Sequence, residues 1–308
     1  MNTVPDFLSR SRLARWLVLL SPLLLGLGWT LAAGGAQAES RSEKLSAVRT
    51  WAIQLGGLGG ADGPRLAPLK RAPFGLLVIE PNDDDGQPWS RAEVEAAAQD
   101  KLLVAYLSVG AAEDYRRYWQ PGWKPGQPEW ILKADPDWPG NYDVAYWNPA
   151  WQKLALAGLD TLIDQGFHGV YLDLIDAYMR RPERPTARAE MVRWVCKIAA
   201  HAHARDPQFL IIPQNAPELL LDPGYAACVD AAAQEETFVY ATDGVTEPER
   251  QTELLGSFKA WRKLGKPVLT LDYASNPGLI SQTYSRARAA GLVPYVSVRN
   301  LDVLTPGR

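Results

Sequence analysis

Eight short apolar, β-rich runs recur along this 308-residue chain, and most are separated by stretches with helical spacing. The runs cover residues 50–55, 75–80, 102–109, 169–175, 209–213, 228–234, 267–271 and 292–298. The helical stretches include 91–100, 151–165, 187–205, 247–264 and 279–290. Alternating strand and helix argues for a parallel sheet, because each parallel crossover needs a helix. Strands apolar on both faces agree, since such strands are covered on both sides. Eight of them argue for a single α/β domain closed as a (β/α)8 TIM barrel. Tight turns fit this grammar: Gly166 to Gly169, Gly265 to Pro267 and Ala290-Gly291 each lead from helix into strand, with glycine supplying the helix end.

Residues 1–38 stand apart. Arg10, Arg12 and Arg15 form a basic start, 17–31 is an apolar run, and Ala36-Gln37-Ala38 is a small-x-small cleavage site. This pattern predicts a signal peptide cut after Ala38, hence a secreted or periplasmic protein with no membrane span after cleavage. The domain then covers 39–308, 270 residues with 29 basic and 34 acidic side chains. That balance offers no basic patch for nucleic acid. Cys196 and Cys228 could pair in an oxidising compartment, but two buried thiols are the plainer expectation. A monomer is expected.

In a barrel, the C-terminal ends of the strands converge on one rim, where active sites are built. The polar residues of this chain collect there. Glu80 ends the second run and leads into Asn82-Asp83-Asp84-Asp85; Glu113, Tyr115 and Arg116 follow the third. The fourth ends in Asp173 and Asp176, the fifth in Gln214-Asn215 and the sixth in Gln234-Glu235-Glu236. Asp272-Tyr273 ends the seventh, and Arg299, Asn300 and Asp302 the eighth. The long 110–148 segment is an insertion on that face.

Glycosidic bond cleavage needs two acidic side chains across a cleft, one to protonate the leaving oxygen and one to attack the sugar or activate water. Asp173 and either Glu235 or Glu236 fit. Adjacent strand residues point to opposite sides, so one glutamate at most serves. Asp173 shares strand parity with Tyr171 and faces inward; Asp176 lies past the strand end, placed to orient a sugar amine or hold the loop. Other chemistries lack their residues. His168 precedes the fourth strand, and His201 and His203 share no helix face, so no metal site is expected. There is no Gly-x-Ser-x-Gly elbow and no nucleotide-binding glycine loop, and no cofactor is expected. Trp119, Trp123, Trp130, Trp138, Trp147 and Trp151 crowd the third loop and its end. One or two are expected to line a sugar groove, with Trp147 and Trp151 structural.

The segments 106–116 (YLSVGAAEDYR), 169–178 (GVYLDLIDAY), 234–238 (QEETF), 271–273 (LDY) and 294–299 (PYVSVR) resemble glycoside hydrolase family 114, the endo-α-1,4-polygalactosaminidases and their bacterial relatives. The resemblance spans roughly residues 50 to 302. It implies a (β/α)8 barrel that cleaves α-1,4-linked galactosamine polymers internally. It implies Asp173 as nucleophile and Glu235 as acid/base, with Glu236 the fallback. Tyr106, Glu113, Asp272, Tyr295 and Arg299 fall on other motif positions around the pocket. Ala111 stands where many relatives have Glu, and Glu80 where Asp is common; both changes bear on substrate preference. Glu80, Asp176, Asn215, Glu236 and Tyr273 complete the expected substrate-binding set. A non-catalytic polysaccharide-binding barrel and a hydrolase of another amino-sugar polymer are the competing readings.

Overall fold

A computed structural model describes residues 39–59 and 66–308. The expected signal peptide lies outside the described residues. All eight expected strands are present: β1 (Trp51–Gln54), β2 (Leu76–Ile79), β3 (Leu102–Ser108), β4 (Gly169–Asp173), β5 (Leu210–Pro213), β6 (Ala232–Glu235), β7 (Val268–Tyr273) and β8 (Val293–Ser297). Every one of their main-chain ladders with one another is parallel. Two short helices, α1 (Arg41–Ala47) and α2 (Ala67–Arg71), come first, and the crossover helices include α3 (Arg91–Ala97), α4 (Pro149–Asp164), α5 (Ala187–Arg205), α6 (Pro248–Lys263) and α7 (Pro277–Ala289). Residues 39–308 form one compact unit.

The closed ring expected from eight strands is not drawn by the backbone ladders. They run in two sets, β1-β2-β3-β4-β5 and β8-β7-β6. One parallel bridge, Gln214 to Ala233, joins β5 to β6. Below it the Asp230 carboxylate accepts the Ile211 N–H at 2.8 Å. The Asp230 N–H also donates to the Ile211 carbonyl at 2.9 Å, so here a side chain stands in for one of the two strand bonds. On the other side, the Trp51 indole donates to the Val293 carbonyl at 2.9 Å and Leu55 N–H to the Leu301 carbonyl at 2.7 Å, with no ladder between β1 and β8.

Between the strands the interior is filled by aromatics. Trp51 stacks on Tyr171 and packs against Tyr295, with ring centroids 6.1 and 6.0 Å apart. All three are fully buried. Tyr295, expected at the pocket, is therefore part of the core; its hydroxyl accepts the Thr305 N–H. The inward parity that points Tyr295 toward the axis also places it one layer beneath the rim.

Two further expectations are corrected. The 110–148 insertion carries a small antiparallel sheet of Ala111–Glu113, Asn141–Val144 and Ile131–Ala134, in that spatial order. Cys228 does not open β6; it follows the 3-10 turn Tyr225–Ala227 and is disulfide-bonded to Cys196 of α5. In place of two buried thiols there is a cross-link between a crossover helix and the approach to β6.

Candidate active site

The strand ends open into a cavity of about 860 Å3. Asp173, the last residue of β4, lies in its wall. Its Oδ2 accepts from the Tyr106 hydroxyl of β3 at 2.6 Å, and its Oδ1 accepts from the Leu174 N–H at 2.7 Å. Leu174 adopts a left-handed backbone, φ 58°, which turns the chain sharply out of the strand. Gly110 makes room for that turn, because a Cβ there would run into the Leu174 carbonyl and side chain.

Glu235, the last residue of β6, lies in the same wall. The Tyr273 hydroxyl of β7 donates to its Oε1, and the Asn215 amide donates more weakly to Oε2 at 3.5 Å. Asn215 Oδ1 in turn accepts the Glu235 N–H at 3.2 Å and the Gln234 amide at 3.0 Å. Asp173 is therefore held by one tyrosine and one main-chain amide, and Glu235 by one tyrosine and side-chain amides. Burial, reinforced by the charge of Glu235, pushes Asp173 up to about 7. Burial also pushes Glu235 above the usual carboxylate range, against the hydrogen bonds from Tyr273, Asn215 and Gln214. Like charges in one desolvated site cannot both ionise cheaply, so the pair shares a proton near neutral pH.

Beside Tyr106 lies a second acidic group. Arg116 grips Glu80 with two bonds of 2.6 and 2.8 Å, and its Nε donates to Glu113 at 2.6 Å. The Tyr115 hydroxyl adds a bond to Glu113 at 2.7 Å. This planar fork is the geometry in which arginine pairs best with carboxylates. The trio ties the inserted sheet to the end of β2. Arg116 also sits 5.9 Å from the centre of the Tyr106 ring.

These two carboxylates on the ends of β4 and β6, in a cavity without a histidine, agree with what whole-chain comparison finds. The sequence profile of glycoside hydrolase family GH114 matches residues 32–306. The chain belongs to glycoside hydrolase family 114. It is a glycoside hydrolase by that membership. A protein of Deinococcus radiodurans is 62% identical over 265 residues, covering 86% of this chain and 85% of its own. The glycoside hydrolase domain of PelA from Pseudomonas aeruginosa shares the fold, with a TM-score of 0.62 at 21% identity, over 83% of this chain and 97% of that domain. Ega3 of Aspergillus fumigatus, solved in complex with galactosamine, superposes with a TM-score of 0.61 at 17% identity, over 82% and 92%.

Most of the expected site residues of this family 114 hydrolase come together. Glu80, Tyr106, Glu113, Asp173, Asp176, Asn215, Glu235, Glu236, Tyr273 and Arg299 all line the cavity. Glu236 also braces the backbone, since its Oε1 accepts the Ala241 N–H at 2.9 Å and so closes the loop after β6. Asp272 does not reach the cavity. It is fully buried on the outer face of β7, where Oδ1 accepts the Phe238 and Val239 N–H groups at 2.6 and 2.9 Å. Its neighbour Tyr273 takes the inward position, as strand alternation requires. Burial pushes Asp272 up to about 7.

Of the tryptophans, Trp138 lines the cavity, half-exposed, with the Arg299 guanidinium 5.6 Å from its ring centre. Trp119, Trp123, Trp130 and Trp151 form a chain of ring contacts, with neighbouring centroids 5.0–5.5 Å apart, that fixes the insertion to the body. Trp147 lies under the Arg184 guanidinium. Arg116 and Tyr115 stand at the rim by sequence, yet the expected binding set omits them. Their spacing from Glu113, at i+3 and i+2, is the signal that points to them. No cluster of metal-ligating side chains occurs among the described residues. His168 lies at the opposite end of β4, where its Nδ1 accepts the Leu103 N–H.

Proposed function

We propose that the chain is an exported hydrolase that cleaves α-1,4-linked galactosamine polymers internally, with Asp173 as nucleophile and Glu235 as general acid/base. The observation that carries this reading is the pair itself: two half-buried carboxylates in one cavity wall, each held by a tyrosine hydroxyl. In this reading the proton of the pair sits on Glu235 when substrate is bound, leaving Asp173 ionised. That proton passes to the glycosidic oxygen as its bond to C1 breaks, and Asp173 bonds to C1. Glu235 then takes a proton from water, whose oxygen displaces the Asp173 carboxylate and restores both groups.

The substrate reading follows from charge. Ten carboxylates and three arginines line the cavity. Two of the carboxylates are already engaged by Arg116 and a third, Asp135, by Arg180. The remainder favours a polycation over a neutral sugar, and a free galactosamine unit carries an ammonium group. Trp138 offers a flat apolar face for a ring. The two strand ladders are taken as one eight-stranded barrel, working as a monomer released from the N-terminal segment after Ala38.

Reducing ends released from deacetylated galactosamine polymer, by the parent protein and by Asp173→Asn, test this. Release by the parent alone supports it. Binding without release in both makes the chain a polysaccharide-binding barrel. Faster release from a partly deacetylated glucosamine polymer reassigns the substrate. Activity insensitive to both salt and acetylation removes the electrostatic argument.

A further inference from the structure

A second cavity of about 380 Å3 adjoins the first. It lies within the size range of ligand sites, roughly 300–1,000 Å3. Four residues belong to both cavities: Asp176, Asn215, Glu235 and Glu236. Asp173 lines only the larger one. The far wall of the smaller cavity is made by Tyr240, Glu247, Arg250 and Leu254. Tyr240 stands on a short hairpin, Val239–Tyr240 against Gly244–Val245, with 45% of its surface exposed.

Three of the four shared residues are already engaged. Asn215 binds the Glu235 and Gln234 groups, Glu235 binds Tyr273, and Glu236 binds the Ala241 N–H. The Asp176 carboxylate accepts no hydrogen bond from another described residue; Arg180 and Arg250 act on it only as nearby charges. Its one donor is its own main-chain N–H, and a largely desolvated carboxylate so poorly met is costly to keep. It is stable when a cation arrives to meet it.

Resting on the reading that this site cuts galactosamine polymer, we infer that the smaller cavity is the leaving-group subsite and that Asp176 selects there for a sugar with a free amine. The polarity follows from which carboxylate each cavity touches. The nucleophile attacks the sugar whose C1 lies in the larger cavity. The acid must face the oxygen between the two sugars, and Glu235 is the member of the pair that lines both spaces. The departing unit then occupies the smaller cavity, with the Tyr240 ring along it and its ammonium at Asp176. An N-acetylated unit would bring a neutral, larger group to a carboxylate left unpaired.

The leaving unit becomes the new non-reducing end of the released fragment, so its acetylation records what the subsite accepted. A polymer of mixed acetylation is digested with the parent and with Asp176→Asn, and the new ends are identified by mass spectrometry. The parent is expected to give new non-reducing ends almost wholly free of acetyl groups. Asp176→Asn is expected to lose that discrimination by about tenfold, as the charge pairing is removed, while its melting temperature stays near that of the parent. A variant that is slower but yields the same end composition overturns the assignment, since a merely structural Asp176 would not change which units are accepted. Equal acetylation of new ends in the parent overturns it too. A parent that cuts no galactosamine polymer fails at the underlying reading instead, and the two failures are thus distinct.

Discussion

The Tyr106 hydroxyl donates to Asp173 Oδ2 at 2.6 Å from the adjacent strand. The bond favours the ionised carboxylate and works against the burial that raises it. Tyr106→Phe removes the donor and pushes Asp173 further up. Activity that needs an ionised Asp173 should then fall about 10- to 100-fold at pH 7, the worth of one hydrogen bond to a charged group. The acid limb of the kcat profile should move to higher pH, so part of the loss is recovered in alkaline buffer. A uniform loss at every pH would show that Tyr106 does not act on the proton of Asp173.

Glu235 and Glu236 are neighbours in sequence and different in surroundings. Glu235→Gln should lower kcat about 10²–10⁴-fold, the usual worth of a general acid. Glu236→Gln keeps an acceptor for the Ala241 N–H and should cost less than about tenfold. The reverse ranking in steady-state kinetics would move the acid/base role by one residue.

Asp272 gives a stability prediction with a definite sign. Its folded value lies near 7, above the ordinary 3.8. Between those values the unfolded chain has released a proton that the folded chain keeps, so stability falls as pH rises from about 4 to about 7, then levels off. The contribution is at most roughly 4 kcal/mol. Asp272→Asn retains the acceptor for Phe238 and Val239 and has no charge to desolvate. The difference in melting temperature between pH 5 and pH 8 should shrink in the variant, measured by calorimetry. An unchanged difference would show that Asp272 is ionised in the fold.

The Cys196–Cys228 bond closes a loop with a sequence separation of 32. Restricting the unfolded chain over that length corresponds to about 3–4 kcal/mol in the chain-entropy treatment. Paired Cys196→Ser and Cys228→Ser substitution should lower the denaturant midpoint accordingly. The parent in reductant should match the variant.

The sequence made the eight strands legible because burial on both faces writes an uninterrupted apolar run, and it made the rim legible because polar residues cluster where those runs stop. It could not rank depth along a strand. Tyr295 and Tyr273 are both inward-facing aromatics near strand ends, yet one is core and the other holds Glu235. Nor does a motif position tell which way a side chain faces: Asp272, placed at the pocket by family resemblance, lies on the outer face of β7 beside the inward Tyr273. The Cys196–Cys228 pairing was illegible because it depends on how α5 lies beside a turn 32 residues away in the chain. The small sheet in the insertion was missed because its strands are short and half-polar.

The left-handed residues at the rim carry a consequence for anyone wishing to improve this protein. Leu174, Asn215, Ala216 and Glu236 follow the ends of β4, β5 and β6, all with φ between 47° and 67°. Each side chain held in that region costs on the order of 1 kcal/mol. Glycine at Leu174 or Ala216 would relieve the strain, and a screen for thermostability would reward it. The same change would free the hinge that aims Asp173 or Asn215. Hardening the protein at these positions and keeping its catalytic aim are opposed goals, and sites for stabilisation are better sought on the outer helices.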